Sequence, residues 1–143
     1  MKNLAKCLLV SFLTICILKA EEIAVIAGKS FPIRSLSKNQ IKNIFLKKRF
    51  FINGKKIIPV NLESSSKIRK FFEESILGMD EEEYNLYWNE MYFKGVKPPL
   101  VMSSQESVIK FVQNIDGAIG YVSKEKLKNK ENIKVLKIIK TEE

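Results

Sequence analysis

The chain of 143 residues has no histidine, and its two cysteines, Cys7 and Cys16, both fall among the first twenty positions. Those twenty, "MKNLAKCLLVSFLTICILKA", place the cations Lys2 and Lys6 before an apolar run from Cys7 to Leu18 and a small residue, Ala20. This is the layout of a secretory signal peptide, and the run is shorter than the roughly 20 residues that span a bilayer. Residues 1–20 are therefore expected to be a signal peptide and residues 21–143 a single domain. Its removal takes both cysteines with it, leaving no disulfide and none of the cysteine or histidine ligands and nucleophiles that dominate metal sites and covalent catalysis. No metal and no cofactor is expected. Glycine is scarce as well, six in all, and Gly117 and Gly120 flank a strand-like run rather than forming a phosphate-cradling loop. The acidic run "DEEE" at Asp80–Glu83 sits where a helix begins and where acids complement the helix dipole. An enzyme is not expected.

Repeats, low-complexity blocks and long linkers are absent too. What remains after residue 20 is 123 residues with 22 basic and 16 acidic side chains, a surplus of +6. Such a surplus favours anionic partners without choosing among them. An exported, cysteine-free chain fits the bacterial cell envelope, periplasmic or secreted, and nucleic acid is not an expected partner there.

Strand-like and helix-like segments alternate. "EIAVIAG" (22–28) is a short apolar run that reads as a buried strand. "SLSKNQIKNIFLKK" reads as a helix with Ile41, Ile44 and Phe45 on one face. Asn53-Gly54 marks a hairpin between two β-prone runs. Residues 65–77 read as a helix with Ile68, Phe71, Phe72 and Ile76 inward, ended by Gly78. Residues 80–93 carry Tyr84, Tyr87, Trp88, Met91 and Tyr92 at i, i+3, i+4, i+7 and i+8, a helix whose aromatic stripe faces the core. "PPLVMS" is a strand, and 105–114 a helix with Val108, Phe111 and Val112 inward. "GAIGYVS" and "IKVLKI" are the last two strands. The order predicts an α/β fold, a mixed sheet with helices on both faces.

The helix starts differ. Ser37 with Gln40, Asp80 with Glu83, and Ser103 with Glu106 have capping-box spacing, in which the third helical side chain returns to the first amides. "VNLESSSKIRKFFEES" (60–75) does not. Whichever of Ser64, Ser65 or Ser66 is the cap, the third position is Lys67, Ile68 or Arg69, and the first turn carries cations where the dipole disfavours them. Free amides, hydroxyls and positive charge together make an anion site. A solvated face explains the same residues, with Arg69–Glu73 and Lys70–Glu74 paired at i, i+4 and Glu63 offsetting one charge. Ser103 and Ser104 open another helix after a strand, and ligands of α/β sheets bind outside the carboxyl ends of strands.

Three segments carry a family resemblance: "LSKNQIKNIFLKK" before an Asn-Gly turn, "IIPVNLESSSKIRKFF", and "VIKFVQNIDGAIGYVS". In this order and spacing the chain resembles the phosphate ABC-transporter substrate-binding proteins, and most of all their short, single-lobe relatives, from Ile23 to about Lys137. The resemblance implies a single lobe of a type II periplasmic-binding-protein-like fold and a non-enzymatic role. It implies phosphate or a related oxyanion as ligand, with an ABC transporter permease or another envelope protein as partner. Matched position by position, Ser65 falls on the family's serine, Ser66 on its glycine and Lys67 on its threonine. Asn61 falls on its arginine, which removes a bidentate phosphate donor. The expected anion-binding set is Asn61, Ser64, Ser65, Ser66, Lys67, Arg69, Ser103 and Ser104. A single lobe supplies half a cleft, so a second copy in a homodimer or another protein is the candidate for the other wall. The alternative is an interaction module of the envelope that has lost free-phosphate binding and holds a protein or polyanionic partner.

Overall fold

The computed structural model describes residues 21–141; the expected signal peptide lies outside the described residues. Strand β1 (Glu22–Gly28) leads to helix α1 (Lys38–Phe45), a small hairpin β2 (Phe51–Ile52) and β3 (Lys55–Lys56), and strand β4 (Ile58–Leu62). Helix α2 (Lys67–Phe72) runs on without interruption into a π-helical turn (Glu73–Leu77), closed by Gly78 in the left-handed conformation. Then come α3 (Glu81–Phe93), β5 (Leu100–Met102), α4 (Gln105–Asn114), β6 (Ala118–Ser123), a 3₁₀ turn (Lys124–Leu127) and β7 (Ile133–Lys140).

Five strands form one mixed sheet in the order β5-β4-β6-β1-β7. β5, β4 and β6 run parallel, while β1 is antiparallel to both of its neighbours. Ile23 to Ala27 are all fully buried, as expected where both faces of a strand are covered and the sequence is a continuous apolar run rather than an alternation. Consecutive residues of β6 show the two faces. A side chain at Gly120 would collide with Val108 and Val60, so the face it belongs to packs against α4. Tyr121, the next residue, points the other way and stacks on Phe72 of α2, with ring centroids 3.9 Å apart and Phe45 of α1 nearby. Helices thus cover both faces, as the segment order predicts.

The uneven alternation of β7 has a simple cause. Val25 pairs with Lys137 and the next residue, Ile26, with Val135, which leaves Leu136 as the extra residue of a β-bulge. The aromatic stripe on α3 is only partly core. Tyr84 and Trp88 are buried, Tyr87 and Met91 are half-buried, and Tyr92 is 74% exposed. The i+8 position has rotated off the buried face because the stripe outruns the surface available to cover it.

Candidate functional site

Strands β4 and β5 pair in parallel with Leu62 opposite Met102, so the two strands end level. Each is followed by serines and then a helix. The turn after β4 is closed by the Ser66 amide donating to the Glu63 carbonyl at 2.9 Å. Ser66 is the N-cap of α2, its hydroxyl accepting from the Arg69 amide at 3.2 Å. Ser104 is the N-cap of α4, accepting from the Ser107 amide at 3.1 Å. Ser65, Ser66, Ser103 and Ser104 come together around one depression of about 330 Å³, with Glu63, Gln105 and Glu106 also on its wall. The end of β6 is tied in through the Ser123 amide, which donates to Gln105 Oε1 at 2.6 Å.

The cap of α4 is therefore Ser104 and not Ser103, and its third helical residue is Ser107, which shares a 2.8 Å hydrogen bond with the Ser104 hydroxyl. The expected Ser103–Glu106 capping box is not formed. Starting at Ser103 would cost α4 the extended backbone that Ser104 adopts (φ −150°, ψ 160°) as it leaves β5. Among the described residues only α1 has the complete box, Ser37 with Gln40; at α3 Asp80 accepts from the Glu83 amide, but the expected return of the Glu83 side chain is not formed. Both helices that open on the depression lack a returning carboxylate or amide, so first-turn amides there have no partner within their own helix.

The expected residues divide into two groups. Lys67 is exposed on the first turn of α2, and Ser64 lies over the adjoining groove between α2 and α3 with Lys70 and Asp80. Asn61 and Arg69 instead turn inward. Asn61 is 3% exposed; its Nδ2 donates to the Tyr84 hydroxyl at 3.1 Å, and its Oδ1 accepts from the Tyr121 hydroxyl and, at 3.2 Å, from the Leu62 amide. Arg69 donates from Nε to Glu73 Oε1 at 2.5 Å and from a terminal nitrogen to the Leu62 carbonyl at 2.8 Å. Its guanidinium carbon lies 5.0 Å from the centre of the Tyr84 ring, within cation–π range. Burial works against the Arg69 charge, but Glu73, with Tyr84 and Tyr121, together more than offset it and hold the guanidinium above its ordinary pKa. Burial also raises the hydroxyl pKa of Tyr84, against the opposing pull of Arg69, and that of Tyr121. The Arg69–Glu73 pairing considered from the i, i+4 spacing is thus present, and it is largely buried.

The carboxylates matter as well. Glu106 meets Lys126 at 3.2 Å, and its pKa is lowered, first by its own backbone amide and then by Lys126. It is therefore a fixed negative charge beside the depression. Sequence reasoning gave Tyr84 to the core and read Tyr121 only as part of a strand, and so missed their polar role; the buried Asn61 brings the two hydroxyls together across the fold.

No family model and no curated protein matches the sequence. Solved structures do match. One assigned as a phosphate ABC transporter substrate-binding protein of Clostridium perfringens, with bound phosphate, is 25% identical with a TM-score of 0.66 over 82% of this chain and 45% of that one. An ABC-type phosphate transport receptor of Vibrio cholerae is 21% identical, TM-score 0.64, over 82% and 46%. PstS of Borrelia burgdorferi is 17% identical, TM-score 0.65, over 82% and 47%. The fold is that of substrate-binding proteins of the periplasmic-binding-protein kind. The chain is similar in fold to these phosphate-transport binding proteins and spans less than half the length of each.

Proposed function

We propose that the chain is an exported, non-enzymatic binding protein that takes phosphate or a similar oxyanion at the serine-lined edge, in the service of an ABC transporter or another envelope protein. The observation that carries this reading is the level ending of β4 and β5, which sets the starts of α2 and α4 side by side with Ser65, Ser66, Ser103 and Ser104 between them. First-turn amides and serine hydroxyls gathered around one depression suit a tetrahedral oxyanion, and Lys67, exposed on the first turn of α2 but not on the depression's wall, is the cation this reading brings to it. Likeness to phosphate substrate-binding proteins supports the same ligand class. Asn61 and Arg69 serve here as support beneath the site and not as contacts.

Isothermal titration with phosphate, sulfate and molybdate tests the reading. Saturable heat with at least one of them is expected, reduced about fivefold in affinity by Lys67→Ala, which removes an exposed charge worth about 1 kcal/mol at a helix start. Absence of heat with every anion at millimolar concentration overturns it.

A second reading, an interaction module of the envelope, is favoured by the sheet edge. β5 is an outermost strand, and Leu100 and Val101 are 54% and 56% exposed, leaving backbone groups and apolar side chains open to a partner. Capture of an envelope protein by the parent chain, unchanged in Lys67→Ala and lost in Val101→Lys, favours this second reading over the first.

A further inference from the structure

Residues 23–62 contain no acidic residue and nine basic ones, five of them between Lys47 and Lys56. The fold gathers these five on or beside the β2–β3 hairpin, whose turn residues Asn53 and Gly54 both have positive φ (47° and 78°), the tight turn that suits strand twist. Phe51 pairs with Lys56, and Ile52 with Lys55. Directly opposed residues share a face, so the hairpin has an Ile52/Lys55 face and a Phe51/Lys56 face. The first is satisfied within the protein. Ile52 is buried, and the Lys55 ammonium lies 2.7 Å from Asp116 and donates to the Ser30 carbonyl at 3.2 Å.

Among the described residues the second face has no such partners; Phe50, one place before Phe51, falls by alternation on the first face, where its carbonyl accepts from the Ile57 amide at 2.8 Å. Phe51 is 57% exposed and Phe50 44%. Lys48, Arg49 and Lys56 are exposed, and among the described residues Lys55 is the only one of the nine cations in an ion pair. Arg49 Nε donates to the Phe51 carbonyl at 3.2 Å, which holds that guanidinium along the hairpin. Lys47 is half-buried with φ 58°, and its pKa is lowered by burial and then by repulsion from Lys56. One phenyl ring, that of Phe51, and a set of uncompensated cations thus lie exposed on or beside one face of the hairpin.

That shape selects among anionic partners. Single-stranded nucleic acid is held along a groove with stacked bases, and this is a hairpin with strands of two residues. An anionic bilayer takes apolar rings into the boundary below its headgroups while cations stay at the phosphates. Placement agrees. The hairpin enters β4 at its amino end, where Ile58 donates to the Gly117 carbonyl at 2.9 Å. The serine edge lies at the carboxyl end of the same strand, five residues or about 16 Å away. A chain seated on its hairpin presents the serine edge away from the lipid.

We propose that the β2–β3 hairpin is a membrane-docking element: Phe51 enters the headgroup–acyl boundary of an anionic bilayer, and Lys48, Arg49 and Lys56 engage the lipid phosphates. The proposal is independent of what binds at the serine edge. The test uses the full chain carrying Phe51→Trp, mixed with vesicles whose acyl chains are brominated. One set contains phosphatidylglycerol with phosphatidylcholine, the other phosphatidylcholine alone. Quenching reports lipid contact at that position, so binding through any other segment does not mimic it. The parent chain, whose one tryptophan is the buried Trp88, gives the background. Quenching above background is expected on the anionic vesicles only, reversed by high salt. Adding Lys48→Gln, Arg49→Gln and Lys56→Gln is expected to lower partitioning about a hundredfold, from about fivefold per cation, with the melting temperature unchanged because these side chains are exposed. Vesicle binding without quenching at position 51, equal quenching on neutral vesicles, or full binding by the triple variant overturns the proposal. So does tight binding of a soluble polyanion such as heparin with no lipid quenching, which assigns the cations to that partner.

Discussion

Glutamate 73 is the residue whose loss the structure prices most directly. The Arg69 and Glu73 side chains are only 12% and 9% exposed and meet at 2.5 Å. Glu73→Gln leaves a cation that cannot deprotonate in a largely dry site. Removing one partner of a buried pair costs about 3–5 kcal/mol. The lower end applies, because the Leu62 carbonyl and the Tyr84 ring remain and a glutamine oxygen still accepts a hydrogen bond. Arg69→Met strands the Glu73 carboxylate instead and also frees the Leu62 carbonyl, so about 3 kcal/mol or more is again expected. The double variant Arg69→Met/Glu73→Gln strands no charge and is expected to cost about 1–3 kcal/mol, chiefly for the freed Leu62 carbonyl, well short of the sum, a coupling of about 3 kcal/mol or more. Urea unfolding followed by the emission of buried Trp88 measures all four corners of the cycle by linear extrapolation. Each single variant is expected to melt about 10–15 °C below the parent, at roughly 3–6 °C per kcal/mol for a domain of this size. Singles within about 0.5 kcal/mol of the parent, or a double equal to the sum, refute the reasoning.

Gly120→Ala is expected to destabilise by about 1–3 kcal/mol, since its Cβ would lie 2.6 Å from Val108 Cγ1 and 2.9 Å from Val60 Cγ2; an unchanged denaturation midpoint refutes the packing of α4 on β6. The hydroxyls of Tyr84, Tyr87 and Tyr121 have raised pKa values, chiefly from burial. A raised folded value means that their contribution to stability is intact below the unfolded phenol pKa of about 10 and is lost as pH rises above it. Absorbance at alkaline pH should show these phenols ionising late and together with unfolding, and full reversible ionisation in the folded state near pH 10 contradicts their burial. Glu63→Gln is expected to tighten oxyanion binding about two- to fivefold by removing an exposed like charge from the depression; titration calorimetry showing no change places the anion elsewhere.

Most of the fold was legible because its signals are local. The buried run of β1, the Asn53-Gly54 turn, the Ser37 cap and the Gly78 stop each depend on a few neighbouring residues, and each stands where the sequence places it. Three features were not legible because they depend on contacts distant in sequence. The cap at α4 shifted by one residue because the backbone arrives from β5 in an extended conformation. Tyr92 left the core because nothing covers that turn of α3. Asn61 was read by its chain position, but its surroundings are set by Tyr121 on the neighbouring strand and Tyr84 on α3, 60 and 23 residues away. Serines Ser65, Ser66, Ser103 and Ser104 could be seen as helix openers, whereas their meeting at one depression required the parallel register of β4 and β5.

That register also brings two incompletely capped helix starts together. β4, β5 and β6 run the same way, so the segments leaving them emerge at one edge, and two of the three go straight into helices, α2 and α4. β1 runs oppositely, and the loop leaving it meets the start of β6, where Ser30 donates to Asp116 at 2.8 Å. The helix that follows this loop, α1, carries a complete capping box and needs no outside partner. At the parallel edge neither α2 nor α4 has one, each cap hydroxyl satisfying one amide and leaving others open. Arg69 does not compensate, since its charge is spent on Glu73. On the proposed reading Lys67 is then left to supply attraction against Glu63 and against Glu106, whose charge Lys126 partly offsets. An anion held on one open side keeps much of its hydration, and the burial that gives small-ligand sites their affinity is absent. A second surface closing over the same edge would strip that water and strengthen each hydrogen bond already in place.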